Sequence, residues 1–342
     1  MPQIAEYDRP DATTLCEEIY PGARPAILRG VGAELEPVRI ARQGTEAFAR
    51  YLKDAIGETP VNVLAARPDA GPTFFFDGDP SRLNFERGRM PFARFIDHVL
   101  APDADRRMVY IESTKAEELS VDLARAIQLP LAPPNVPPLV WLGNRTGTHT
   151  HFDVQQNIAC FVAGRRRFTL FPPEQTPNLY MAPLERSPSS APVSMVRLEG
   201  PDFERYPRFR KALDQALVAE LEPGDAIFIP YMWWHHVRAL EPFNMLVNYW
   251  WNEHDAMGAP IDAMLHAILV LRDLPPPMRD AWRTMFETFV FKAHGEPMDH
   301  LEPGQQGGLG PIDGRMRMQM WQTLGSGLSE VMRRVFAPGN RG

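Results

Sequence analysis

Cysteine is scarce in this chain: there are two in 342 residues, Cys16 and Cys160. They lie far apart among apolar neighbours, which excludes a disulfide framework and offers no zinc-knuckle spacing. No run of eighteen apolar residues occurs, so no membrane-spanning helix is expected. The first ten residues carry charges and no apolar stretch, so the expected setting is a reducing cytoplasm rather than a secretory route. Charge of one sign is not concentrated either. The 36 Lys+Arg against 43 Asp+Glu leave a formal −7, which gives no general attraction for nucleic acid or anionic lipid. Neither is expected as a partner.

Proline, by contrast, is plentiful: 35 of 342 residues, about twice the usual share. It fits poorly in helix interiors and central strands, so short elements separated by turns are expected and a long helical solenoid is excluded. The 44% hydrophobic and 23% charged fractions belong to a globular protein of one large or two modest domains.

No internal repeat is visible. The expected class is mainly β with α. Residues 1–138 form an N-terminal α/β part that completes a sheet. Its strands fall near residues 25–30 and 109–114, and its helices at 45–56 and 91–100. A stiff Pro-rich connector at 132–138 marks the internal boundary. Residues 139–252 read as a β core, with runs at 139–142, 157–162, 167–171, 226–230 and 244–251 separated by Gly, Pro and polar turns, the pattern of a sandwich or barrel. An insertion at 172–222 carries a helix-like stretch, 209–221. Residues 253–342 read as helical, with apolar positions three and four apart in 261–271, 278–291 and 316–335.

The segment Thr148-His149-Thr150-His151-Phe152-Asp153 carries the chemistry. Residues two apart on a strand share a face, so His149, His151 and Asp153 are expected to look into one interior. Some eighty residues later an apolar strand breaks at Pro230 and returns through Trp233-Trp234-His235-His236. Two imidazoles and a carboxylate on one side of a metal, with other positions open, form the facial donor set of non-haem Fe(II) oxygenases.

These motifs resemble the Jumonji-C-like cupin oxygenases, in particular the group containing the asparaginyl hydroxylase of hypoxia-inducible factor. The resemblance rests on Trp141-Leu-Gly143, Thr148-x-x-His151-x-Asp153-x-x-x-Asn157, Gly164-x-x-Arg-Phe168-x-Leu-Phe-Pro-Pro173, Leu179-Tyr180, Glu222-Pro-Gly-Asp225, Pro230-x-x-Trp-Trp-His235 and Val247-Asn-x-Trp250. It is dense from Leu139 to Trp251 and looser upstream, through Met90-Pro-Phe-Ala-Arg-Phe95. It implies a double-stranded β-helix that binds Fe(II) through His151, Asp153 and His235 and takes 2-oxoglutarate as cosubstrate. By the same alignment Tyr110, Thr148, Asn157 and Asn248 line the cosubstrate pocket. His236 is expected to support the ligands from behind or to face outward. The implied reaction is hydroxylation of an unactivated C–H on a protein side chain or small molecule, with succinate and CO2 as coproducts. The C-terminal helices resemble, in placement, an extension through which relatives form homodimers.

One position departs from the family. Its usual Gly-x-Lys-Arg-Phe here reads Gly164-Arg165-Arg166-Arg167-Phe168, so Arg166 stands where a lysine pairs with the distal carboxylate. Arginine can grip a carboxylate bidentately but is longer and planar. It either holds 2-oxoglutarate in a reshaped pocket, selects a shorter acid, or blocks the cosubstrate and leaves a silent binding module. A rival reading follows the general cupin metal spacing, in which His149, His151 and His235 bind metal without a cosubstrate and Gln156 replaces the expected glutamate. The aromatic cluster of Tyr231, Trp233, Trp234, Tyr249, Trp250 and Trp251 reads mainly as core. Cys160 reads as a small core residue.

Overall fold

Along Gln156–Ala163 successive side chains enter different layers, and this alternation organises the protein. Ile158, Cys160 and Val162 pack toward helices on one side, while Ala159 and Phe161 face a second sheet on the other. The computed structural model describes residues 3–67, 69–101, 107–189, 191–252 and 259–336. Among these, the strands are β1 (Ala5–Asp8), β2 (Ala26–Arg29), β3 (Pro60–Ala66), β4 (Thr73–Phe74), β5 (Phe76–Asp77), β6 (Asp79–Leu83), β7 (Phe85–Pro91) and β8 (Val109–Lys115). They continue with β9 (Leu139–Gly143), β10 (Gly147–His151), β11 (Gln156–Ala163), β12 (Arg166–Phe171), β13 (Leu217–Leu221), β14 (Ala226–Ile229), β15 (Trp234–Ala239) and β16 (Asn244–Trp251).

The larger sheet has the order β1-β2-β14-β11-β16-β9-β8-β3-β7, and the smaller one β13-β12-β15-β10-β4. β5 and β6 form a separate hairpin. Phe161, Ile27 and Ile227 of the larger sheet interdigitate with Phe168, Leu170, Leu221 and Val237 of the smaller one. On the outer face of the larger sheet, helices Thr45–Ile56 and Phe92–Leu100 bury Phe48, Leu52, Phe92, Phe95 and Ile96 against Val61, Val63, Ile111, Val140 and Met245. Each such side chain contributes about 1.5–3 kcal/mol by leaving water. The result is the jelly-roll core with flanking helices that the sequence leads one to expect.

Strands from both sides of the connector share the larger sheet, since β2 pairs with β14 and β8 with β9. Contacts divide the chain into units 1–253 and 254–342. Residue 253, where the helical region is expected to begin, lies outside the described residues. The second unit contains helices Pro260–Leu271, Pro276–Phe289 and Gly314–Val335, the last capped by the Asp313 side chain accepting from Met316 N–H at 2.7 Å. Met318, Trp321, Leu324, Leu328, Val331 and Val335 form an exposed stripe along that helix.

The expected helix over 209–221 is half right. A helix spans Phe209–Asp214, and then β13 buries Leu217, Ala219 and Leu221 at two-residue spacing against β12. Ala212, Leu213, Ala216 and Leu217 mimic a helical stripe, but five ladder partners on β12 claim the second half.

Candidate metal centre

β10 and β15 run antiparallel, with His151 directly opposite His235. Opposed residues of such a pair project from one face, and the two ring centroids lie 4.2 Å apart. Strand β10 ends at His151. Asp153 follows in the turn to β11, where its backbone carbonyl accepts from Met232 N–H at 2.9 Å. That bond ties the turn carrying the carboxylate to the turn that launches β15.

The hydrogen bonds set both tautomers. His151 Nδ1 lies 2.8 Å from the His149 carbonyl oxygen, and His235 Nδ1 lies 2.9 Å from that of Trp233. A carbonyl only accepts, so each Nδ1 carries the proton and each Nε2 presents a lone pair. Those Nε2 atoms sit 4.0 Å and 3.6 Å from the Asp153 carboxylate oxygens. Asp153 Oδ2 is buried without a hydrogen-bond partner. Burial raises the Asp153 carboxyl above its ordinary value, opposed in part by His151 and by a hydrogen bond from Asn157. Burial also holds His235 well below the usual imidazole range. Three convergent acceptors within 4.8 Å of one another suit a divalent cation. The donor set of two imidazoles and one carboxylate suits Fe(II).

His149 lies beside this group rather than in it. A register shift between Thr148 and His151 breaks the alternation. Its Nδ1 donates to the Phe74 carbonyl at 3.0 Å, its Nε2 lies 3.4 Å from Ser189 Oγ, and burial pushes its pKa down to about 3. Gln156 spends its amide on the Tyr20 hydroxyl and on Tyr231 N–H. The three-histidine set with Gln156 is therefore not brought together.

Tyr110, Thr148, Asn157, Arg166 and Asn248 line the cavity that also holds the three ligand candidates. Asn248 Nδ2 donates to Asn157 Oδ1 at 2.7 Å. Arg165 and Arg167 face outward and pair with Glu241 and Glu220, whereas Arg166, between them, is only 2% exposed. Its Nη1 donates to the Tyr110 hydroxyl at 3.4 Å, while Nε and Nη2 have no partner. Burial raises the Tyr110 phenol, opposed by the Arg166 charge. Gly143 is needed here, because a Cβ at that position would come within 2.6 Å of Tyr110 Cδ2. Trp141 and Trp250 also line the cavity, a role not read from the sequence. The signal was alternation: Trp250 shares a strand face with Asn248, and Trp141 with Gly143.

His236 is buried rather than outward-facing, with Nε2 3.1 Å from Glu199 Oε1 of the insertion. Glu199 also accepts from the Thr73 hydroxyl. Burial alone would raise this carboxyl, but the bonds from His236 and Thr73 outweigh it and bring it down to about 2. A depressed carboxyl stabilises the fold above its unfolded pKa and loses that contribution as pH falls toward the folded value. Glu199→Gln is thus expected to cost ~3 kcal/mol at pH 7, on ~1.36 kcal/mol per pKa unit, and less than half of that at pH 3. Urea melts of both proteins at the two pH values check this; an equal gap at both would contradict it.

Residues 12–257 match the Cupin-like domain family. HSPB1-associated protein 1 of Homo sapiens is 36% identical over 134 residues, covering 38% of this chain and 27% of that protein. Lysine-specific demethylase JMJ31 of Arabidopsis thaliana is 38% identical over 111 residues, covering 32% and 20%. The tRNA wybutosine-synthesizing protein 5 of Gallus gallus is 26% identical over 318 residues, covering 81% and 91%. The match therefore spans about a quarter of the length of the first two relatives and most of the third. The family match takes in the smaller sheet, every strand of the larger one except β1, and His151, Asp153 and His235, and on it the chain belongs to the Cupin-like domain family, alongside JmjC-type relatives.

Proposed function

We propose that the protein is an Fe(II)- and 2-oxoglutarate-dependent oxygenase that hydroxylates an unactivated C–H of a protein side chain or small molecule. One observation carries the reading: two imidazole lone pairs and an unpartnered carboxylate oxygen converge in the same cavity as a buried, incompletely paired arginine. Bound Fe(II) would supply dioxygen activation, coupled to conversion of 2-oxoglutarate into succinate and CO2, with one oxygen atom entering the substrate C–H. The chain's own residues do the rest. His151, Asp153 and His235 would hold the metal. Arg166 would hold the distal carboxylate, with Tyr110, Thr148, Asn157 and Asn248 around the acid. Phe168, Val237 and Leu246 give the same cavity its apolar lining.

Beside Tyr110 the larger sheet opens into a cleft of about 800 Å³, lined by Asn62, Leu64, Arg87, Arg89, Glu112 and Glu118. Strands β3 and β8 pair there only at Leu64–Tyr110 and Ala65–Val109 and then diverge. The demethylase-named relative favours a protein substrate. The −7 charge does not favour tRNA, which figures in another relative's name. Both cysteines are free, which suits a reducing cytoplasm.

The test is anaerobic addition of 2-oxoglutarate to the Fe(II)-loaded protein, watched for the weak visible charge-transfer band of the chelate. A saturable band that Asp153→Ala abolishes supports the reading. Iron binding without a band points instead to a metal-dependent cupin lacking this cosubstrate, or to a silent binding module.

We also propose a homodimer formed through the C-terminal helices. The stripe from Met318 to Val335 repeats at intervals of three and four residues, the spacing of a helix–helix seam. Light scattering is expected to give twice the 38.7 kDa chain mass at micromolar protein. Leu324→Glu with Leu328→Glu should return the monomer. A wild-type protein that stays at the chain mass over a hundredfold concentration range would refute the dimer.

A further inference from the structure

Seven buried side-chain nitrogen or oxygen atoms lack a hydrogen-bond partner among the described residues, and six of them belong to residues of the metal cavity. Folded proteins leave few such atoms unpaired, so this concentration marks where a polar ligand sits. Asp153 Oδ2 is accounted for by a cation. Of the remaining five, one is an acceptor, Asn248 Oδ1, and four are donors: Arg166 Nε–H and Nη2–H, Trp141 Nε1–H and Trp250 Nε1–H.

Four donors match one carboxylate, whose two oxygens offer about four lone-pair sites. Nε and Nη2 are the two edges of the guanidinium that grip a carboxylate side-on in parallel bonds. Their orientation is fixed from behind, with Nη1 on the Tyr110 hydroxyl at 3.4 Å and the guanidinium carbon 5.9 Å from the Tyr110 ring centre. The fork satisfies two of the four sites and leaves two. The indoles of Trp141 and Trp250 meet edge-to-face, with centroids 5.8 Å apart; both residues line the same cavity, and the Nε1–H of each is buried without a partner.

We infer that Trp141 and Trp250 are carboxylate-binding residues, completing with Arg166 a four-donor receptor for the distal carboxylate of the 2-oxo diacid. The inference rests on the cosubstrate reading above. A 2-oxo acid of equal length with a neutral tail leaves these donors unpaired and binds weakly.

The probes are 2-oxoglutarate and 2-oxopentanoate, titrated into Mn(II)-loaded full-length protein by calorimetry and by tryptophan fluorescence. Trp141→Phe and Trp250→Phe keep an aromatic ring, delete the N–H donor and shorten the side chain, and the neutral-tailed acid reads out the lost packing. Each is expected to weaken 2-oxoglutarate about tenfold or more, as for a lost hydrogen bond to a charged group, and to leave 2-oxopentanoate within about twofold. Equal weakening of both acids would make the indoles packing residues only and overturn the inference, as would no weakening of either. Retained Mn(II) binding and far-UV circular dichroism identify a variant that misfolds, and the other single variant, or Trp→Leu at the same position, then supplies the reading. If the wild-type protein binds neither acid, the cosubstrate reading falls and takes the receptor with it.

Discussion

Asp153→Ala is expected to abolish iron binding, while His149→Ala leaves it intact. The two residues are two positions from His151 on either side, so sequence spacing alone treats them alike. Their surroundings do not. Asp153 faces both Nε2 atoms and has an oxygen with no protein partner, whereas both ring nitrogens of His149 are already engaged, by Phe74 and Ser189. The expectation has a thermodynamic side. A ligand that binds only the folded state at a hundred times its Kd stabilises by about 2.7 kcal/mol, so Fe(II) or Mn(II) should raise the melting temperature of the wild type and of His149→Ala. Asp153→Ala should show no such rise. Its metal-free form should melt no lower than the metal-free wild type, because burial of the carboxyl outweighs what the His151 charge and the Asn157 hydrogen bond return. Iron retained by Asp153→Ala and lost by His149→Ala would reverse the assignment.

That contrast shows where sequence reading stops. His151, Pro230 and His235 were legible because an apolar strand, a break and a second histidine leave a pattern, and β10 and β15 do become neighbours. The separation of His149 from the metal group was not legible. It depends on a register shift inside a five-residue strand and on the Phe74 carbonyl, some seventy-five residues away. Arg166 was legible as buried from alternation with Arg165 and Arg167, and it is buried. Its Tyr110 partner came from resemblance alone. Strands β3 and β7 went unread. Their exposed positions mix Asn62, Glu86, Arg87 and Arg89, and only long-range pairing with β8 makes them part of the sheet. The insertion was misread for a related reason, since Leu217 serves a helical stripe and a strand equally well until β12 decides. Local patterns name the elements that carry apolar periodicity. Ladders between distant segments decide the rest.

Arg166→Met is expected to remove 2-oxoglutarate binding, by at least about a hundredfold, while leaving iron bound. Truncating one partner of a buried, hydrogen-bonded charge pair costs ~2–5 kcal/mol, and the distal carboxylate would meet no other cation lining this cavity. Iron is spared because Arg166 lies opposite Ala239 on β15, four residues from His235 along the strand. The same substitution should stabilise the protein in the absence of acid. A guanidinium that is 2% exposed and leaves Nε and Nη2 unpaired is costly, and apolar replacements of buried ionic groups often gain ~1–4 kcal/mol. Arg166→Lys separates charge from geometry: it keeps the cation and loses the side-on fork, so binding should fall about tenfold rather than vanish. The opposite pattern, in which wild type binds no acid and Arg166→Lys creates the charge-transfer band, would show that the arginine closes the cavity. Loss of acid binding together with a higher melting temperature would mean that Arg166 is retained for its ligand and not for the fold.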